Sequence, residues 1–111
     1  MLQKKFRLRK KSDFSRVFSG QLSYASKFAV IYILKGRPLK FGFVASKKIG
    51  NAVKRNRAKR LLREAVRLNM SKIKGENQMI FIARKSILKA SLPDVEKEII
   101  KIWRKAGVYN E

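Results

Sequence analysis

The sequence contains no cysteine and no histidine. Disulfides, thiolate metal sites, cysteine nucleophiles and every triad or metal centre built on imidazole are therefore excluded. Acids are scarce as well: seven Asp and Glu face 29 Lys and Arg in 111 residues, a net charge of +22. A protein that cuts phosphodiesters with its own side chains needs a general base or a metal-bound hydroxide. The closest approach to an acidic pair is Asp94 and Glu98 at i and i+4, and their place in the first turns of a predicted helix is explained by its dipole. Long apolar runs are missing too, since Phe28 to Leu34 and Met79 to Ala83 are far too short to span a bilayer. Met1 to Lys11 has charge but no apolar segment like that of a signal peptide, so a cytoplasmic protein is expected.

What is present suffices for one modest core, with 45% apolar and 10% aromatic residues, and predicts a single domain over residues 1–111. A charge this high repels itself, and the ligand that best matches its density is a nucleic acid backbone. The excess is unevenly spread. Residues 94–111 hold four acids and four bases, so everything before them carries the whole +22. Residues 1–11 hold six bases and no acid, which reads as a basic N-terminal arm, partly flexible until a polyanion neutralises it, or as a solubilising tail.

Ser12 or Asp13 can cap a short helix over 13–19 that carries Phe14, Val17 and Phe18 at i, i+3 and i+4, with Gly20 placed to end it. Gln21 to Ala25 suggests a short edge strand. Phe28 to Lys35 and Leu39 to Ser46 are β-branched and aromatic runs separated by Gly36, Arg37 and Pro38, the punctuation of a hairpin. Phe28, Val30, Tyr32 and Leu34 are expected to share one face, as are Phe41 and Phe43, while Gly42 leaves room for a close approach to the sheet. Ala52 to Met70 has helical periodicity, with Ala58, Leu61, Leu62, Ala65 and Leu68 falling within an arc of about 120°. Lys74 to Asn77 reads as a turn, and Gln78 to Arg84 as a central strand whose unbroken apolar run fits burial on both faces. Pro93 and Asp94 open a last helix with Val95, Ile99, Ile102, Trp103 and Ala106 on one stripe. The order α-β-β-β-α-β-α predicts an α+β domain, a mixed sheet of about four strands packed with three helices.

The richest stretch is Lys47 to Arg67, with nine bases against the single acid Glu64, a local charge of +8. Several of these bases share one helical face, where like charges repel by a few tenths of a kcal/mol per close pair, and a polyanion would relieve that. Arg predominates on the helix, and a guanidinium forks onto phosphate or stacks on a base as an ammonium cannot. Gly50 and Asn51 sit where the chain turns into the helix, whose first amides are free to bind an anion beside Lys47 and Lys48. Equally, Asn51 simply caps the helix and Gly50 makes the turn; both readings can hold.

The run from Lys47-Lys48-Ile49-Gly50-Asn51 through Arg55-Asn56-Arg57 to Arg63-Glu64-Ala65 resembles the signature of the protein subunit of bacterial ribonuclease P, with Arg55-Asn56-Arg57 as its Arg-Asn-Arg core. Arg7-Leu8, Asp13-Phe14 and Val17-Phe18-Ser19-Gly20 resemble that family's opening, and Ile82-Ala83-Arg84 its last strand. The resemblance implies a ribosomal-protein-type α+β fold with a left-handed crossover, against the usual rule. It implies a small basic partner of a catalytic RNA, the two together removing the 5′ leader of precursor tRNA. Chemistry and magnesium would reside mainly on the RNA, in a 1:1 complex with a monomeric protein and away from membranes. It turns Lys48, Asn51, Arg55, Asn56, Arg57, Lys59, Arg60 and Arg63 toward the catalytic RNA, with Lys47 and Arg67 in the same basic stretch, and leaves no catalytic residue in this chain.

An unpaired leader needs aromatic faces for bases and basic groups along the backbone. Read from the residues alone, Phe14 and Phe18 are core anchors of a short helix. The resemblance instead implies a leader-binding cleft between this helix and the sheet, with one ring stacking on a base while the other fills the core. Arg9, Lys10 and Arg16 would then contact phosphates. Tyr32 is the sheet candidate, because its hydroxyl can stay wet while its ring packs; Lys27, Lys35 and Lys40 could line the sheet beside it. The alternative is a structural RNA-binding protein or RNA chaperone of ribosomal-protein type, with no part in cleavage. A membrane-surface helix fits poorly, because the last helix lacks a basic polar face and the basic helix lacks large aromatics.

Overall fold

The computed structural model describes residues 2–20 and 22–111. Its elements are α1 (Lys11–Ser19), β1 (Ser23–Ala25), β2 (Ala29–Lys35), β3 (Lys40–Val44), α2 (Ala52–Asn69), β4 (Asn77–Ala83) and α3 (Leu92–Ala106), joined in places by short 3₁₀ turns. Three helices and a four-stranded mixed sheet form the expected α+β domain, in the expected order.

Strand β4 decides the topology. It lies inside the sheet, whose order is β1-β2-β4-β3. It runs antiparallel to β2, with Tyr32 opposite Ile80, and parallel to β3, with Phe41 opposite Met79. The hairpin expected between the second and third strands does not form. A direct β2–β3 pair would leave the most apolar strand at an edge; instead β4 inserts between them, and the Gly36 amide donates to the Glu76 carbonyl at its entrance (2.8 Å). The real hairpin is β1–β2, with Ser23 opposite Tyr32. The expected edge strand is thus present from Ser23; Gln21 lies outside the described residues.

Period-2 alternation then sorts the side chains. Ile31, Ile33, Phe41, Met79 and Phe81 face α2 and α3, where Ala58, Leu62, Ala65, Val66, Ile99, Ile102 and Trp103 complete the main core. Burying a phenylalanine such as Phe41 or Phe81 contributes roughly 1.5–3 kcal/mol. On the opposite face Ile80, Ile82, Tyr32, Leu34 and Val44 meet Val17 and Phe14 of α1 and Leu8 of the arm. Phe28 departs from its expected face: it precedes the strand and packs into the main core. On α2, Leu68 is exposed and Val66 buried instead, because Leu68 lies about 100° around the helix from the centre of the buried stripe.

Helix ends follow local chemistry. Ser91 and Asp94 form a reciprocal capping box, Pro93 occupies the first turn of α3, and Gly107 closes it at φ 75°. Helix α1 starts two residues before the predicted position 13, and neither Ser12 nor Asp13 caps it: the N-cap is Lys10, without a side-chain bond, and Asp13 pairs with Arg16 at 3.1 Å. In the N-terminal arm, Leu2 is buried in the main core and Leu8 in the second. The Leu8 amide donates to the Phe41 carbonyl (2.9 Å) and Arg7 Nε to the Leu2 carbonyl (3.0 Å), so the arm lies along the outer edge of β3.

Candidate nucleic-acid interface

The junction before α2 is built by its own signature residues. Gly50 adopts φ 140°, and a Cβ there would lie 2.8 Å from Lys54 Cδ, so the position requires glycine. The Gly50 carbonyl accepts a hydrogen bond from Arg55 Nη1 at 2.9 Å. Asn51 Oδ1 accepts from the Lys54 amide at 3.0 Å, the capping role anticipated for it. Asn51 and Arg55 thus fix the entry of the helix, and buried Ile49 pins the turn that holds Lys47 and Lys48 in solvent. Beyond the first turn, Asn56, Arg57, Arg60 and Arg67 are exposed while Lys59 and Arg63 are half-buried on the flank toward β3.

The electrostatics of this surface are one-sided. Arg63 sits over the Phe43 ring, 5.6 Å from its centroid, and its pKa is lowered first by burial and then by the cations Arg7 and Arg60. Among the described residues no acid forms an ion pair with it. Arg67 differs, because its Nε lies 3.1 Å from both Glu64 oxygens; that hydrogen bond is the chief cause that lowers the Glu64 pKa and raises that of Arg67. One cation of the basic stretch is therefore already paired. Arg7 and Phe43 were named from the sequence only for the family's opening and for sharing a strand face with Phe41, not as residues of this surface.

The second part of the surface is the cleft between α1 and the sheet. A Cβ on Gly42 would lie 2.6 Å from Phe14 Cε1, so this glycine admits the half-buried Phe14 ring onto the sheet, the close approach its position suggested. Phe18, one turn on, is 40% exposed. It meets Tyr32 edge-on, ring centroids 4.9 Å apart at 84°, a favoured aromatic geometry. The structure thus divides the two phenylalanines, Phe14 packing and Phe18 reaching solvent. Beside them Val30, Ile82 and Val44 pair across three strands in one half-buried row, an apolar floor that the sequence reading did not name. Arg9 and Lys10 are exposed just before α1, and Arg16 is exposed but pairs with Asp13. Lys35 is exposed at the end of β2 and Lys40 is half-buried opposite Gln78. Lys27 does not join this surface: its ammonium lies over the Phe28 ring on the α3 side, and its backbone amide donates to Glu98.

Acidic groups do not converge. Among the described residues no three His, Cys, Asp or Glu side chains come together as a metal site, and Asp13, Glu64, Asp94 and Glu111 are each tied to a local partner. Among the described residues no acidic cluster is therefore assembled to hold a magnesium ion. No helix among the described residues is long and apolar enough to cross a membrane.

A sequence model of the family described as Ribonuclease P matches residues 2–107. The chain belongs to this family. It is 41% identical over 106 residues to the ribonuclease P protein component of Alkaliphilus oremlandii, covering 94% of this chain and 93% of that relative. Its fold superposes on the Staphylococcus aureus RNase P protein with a TM-score of 0.82 at 30% identity, over 96% of this chain and 100% of the other. An S. aureus RNase P protein mutant with defective mRNA degradation activity gives the same TM-score at 29% identity, over 94% of this chain and 90% of the other.

Proposed function

We propose that this chain is the protein component of a ribonuclease P, binding a catalytic RNA through the basic face of α2 and the loop before it, and the 5′ leader of precursor tRNA in the α1–sheet cleft. The observation that carries the reading is the pairing of exposed Phe18 with Tyr32 beside the half-buried Val30–Ile82–Val44 row. Aromatic faces and a half-buried apolar row suit unstacked bases, while Arg9 and Lys10, exposed just before α1, are available for the backbone. On α2, Arg57 and Arg60 are free for phosphates, and Asn51 and Arg55 act by holding the loop in shape. Residues of this chain bind and orient; bond scission belongs to the RNA, where magnesium, once bound, would supply Lewis-acid chemistry. The protein acts as a monomer with one RNA, in the cytoplasm.

The test is cleavage of precursor tRNA by the catalytic RNA at low magnesium, with and without this chain and with a Phe18→Ala variant. Phe18→Ala should lower leader-dependent affinity without weakening assembly with the RNA; unchanged affinity would return Phe18 to a packing role. For about eight phosphate contacts, log K should fall with log salt at a slope of roughly −6 to −7, and a slope near −1 would count against the reading. The mRNA degradation activity that is defective in the S. aureus mutant makes degradation of mRNA a second reading. Extensively purified, RNA-free chain that cut transcripts would favour it.

A further inference from the structure

On the side of the molecule away from the cleft, an open cavity of about 830 Å³ lies between α2, the start of β2 and the segment that joins β4 to α3. Its rim carries Lys27, Lys54, Lys85 and Lys89, and its floor is Phe28, Leu88 and Ala90. The one acid in the lining, Asp94, is occupied by the capping box of α3, and none of the four lysines forms an ion pair among the described residues. The lining thus carries a net charge of +3 over an apolar base. Neither the basic signature nor the leader cleft accounts for it, because Lys27, Lys85 and Lys89 belong to neither.

We infer that this cavity receives an unpaired nucleotide of the partner RNA. Four ammonium groups, each a flexible point charge, suit phosphate oxygens that need no fixed fork. The volume lies within the range of small-molecule sites, large enough for a base above Leu88 and Ala90 with its phosphate at the lysines. Lys27, held over the Phe28 ring at 5.5 Å, stands on the rim where that phosphate would sit. Continuity names the occupant: Lys54 lies in the first turn of α2, so RNA running along the basic helix needs only to turn over its N-terminus to enter. The inference rests on the RNA-binding reading above and extends the footprint to the face opposite the cleft.

The absence of cysteine makes a direct test possible. Ser86→Cys, on the cavity rim, and Val53→Cys, 76% exposed on α2 outside the cavity lining, are each labelled with a photoreactive azidophenacyl group and irradiated in the complex with catalytic RNA. The cavity predicts a discrete crosslink from position 86, lost or weakened when Lys85→Ala and Lys89→Ala are added. Those two substitutions, at exposed positions, should leave the circular dichroism spectrum unchanged. They should weaken RNA binding roughly four- to sixfold at 0.15 M salt and flatten the salt slope by about 0.8, as expected for one lost phosphate contact. A crosslink from position 53 with none from 86, or wild-type affinity and slope in the double variant, would overturn the cavity assignment and leave the RNA-binding reading intact. Loss of both crosslinks together with absent RNA binding by the unsubstituted chain would overturn both.

Discussion

Gly42→Ala probes how α1 is seated. The new Cβ would stand 2.6 and 2.7 Å from two carbons of the Phe14 ring and 3.4 Å from Leu8 Cδ1. Ordinary carbon contacts lie near 3.5–4.0 Å, so the ring must withdraw by about 1 Å. Overpacking of this kind costs about 1–3 kcal/mol, and replacing a strand glycine by alanine returns about 0.5–1 kcal/mol. The net loss is up to about 2.5 kcal/mol, a fall in Tm of up to roughly 10 °C for a domain of this size. Urea denaturation of wild type, Gly42→Ala, Phe14→Ala and the double variant completes a cycle. With the ring gone the methyl enters vacated space, so the double variant should be more stable than the two single effects predict, by about 1 kcal/mol. Stabilisation by Gly42→Ala alone, or effects that add within about 0.5 kcal/mol, would refute the claim that this glycine exists to admit Phe14.

Phe18→Ala should cost little stability, under about 1.5 kcal/mol, because the ring is 40% exposed. If one base stacks on it, leader affinity should fall roughly 5- to 150-fold in a binding assay with precursor tRNA. Arg55→Ala should lose about 1 kcal/mol in urea denaturation through its bond to the Gly50 carbonyl, with Gly50→Ala worse because of the positive φ. Glu64→Gln should free Arg67 and strengthen RNA binding roughly four- to sixfold at 0.15 M salt, if Arg67 then takes a phosphate. Since the Arg67 hydrogen bond lowers the Glu64 pKa, its stabilisation is present above the ordinary carboxylate range and lost as pH falls through the lowered value. The stability difference between wild type and Glu64→Gln should therefore vanish on acidification.

Helical and central-strand content was legible because it rests on local pattern. All five apolar positions assigned to α3 are buried, and β4 was recognised as central from its unbroken apolar run. Strand partnership was not legible, since Gly36 and Pro38 mark a turn whether the next strand pairs alongside or skips a place. The caps show the same limit: Asn51 caps α2 as its position suggested, whereas α1 begins at Lys11 behind an N-cap, Lys10, that makes no side-chain bond. The signature residues of α2 were readable as a group. Their division of labour was not, because only the folded junction reveals that Arg55 is engaged by Gly50. The same holds for Phe14 and Phe18, which are equivalent on a helical wheel and become different only once Gly42 lies beneath one of them.

The insertion of β4 between two earlier strands also bears on how the molecule is made. During synthesis β2 and β3 emerge early but share no backbone hydrogen bonds with each other, so each must wait for residues 77–83 before its edge is satisfied. By then the whole of α2, the most positively charged segment, is already outside the ribosome. Closure of the sheet is thus a late, non-local event, and until it occurs the nascent polypeptide presents apolar strand edges awaiting β4 beside a dense run of cations, the kind of transient exposure that invites aggregation.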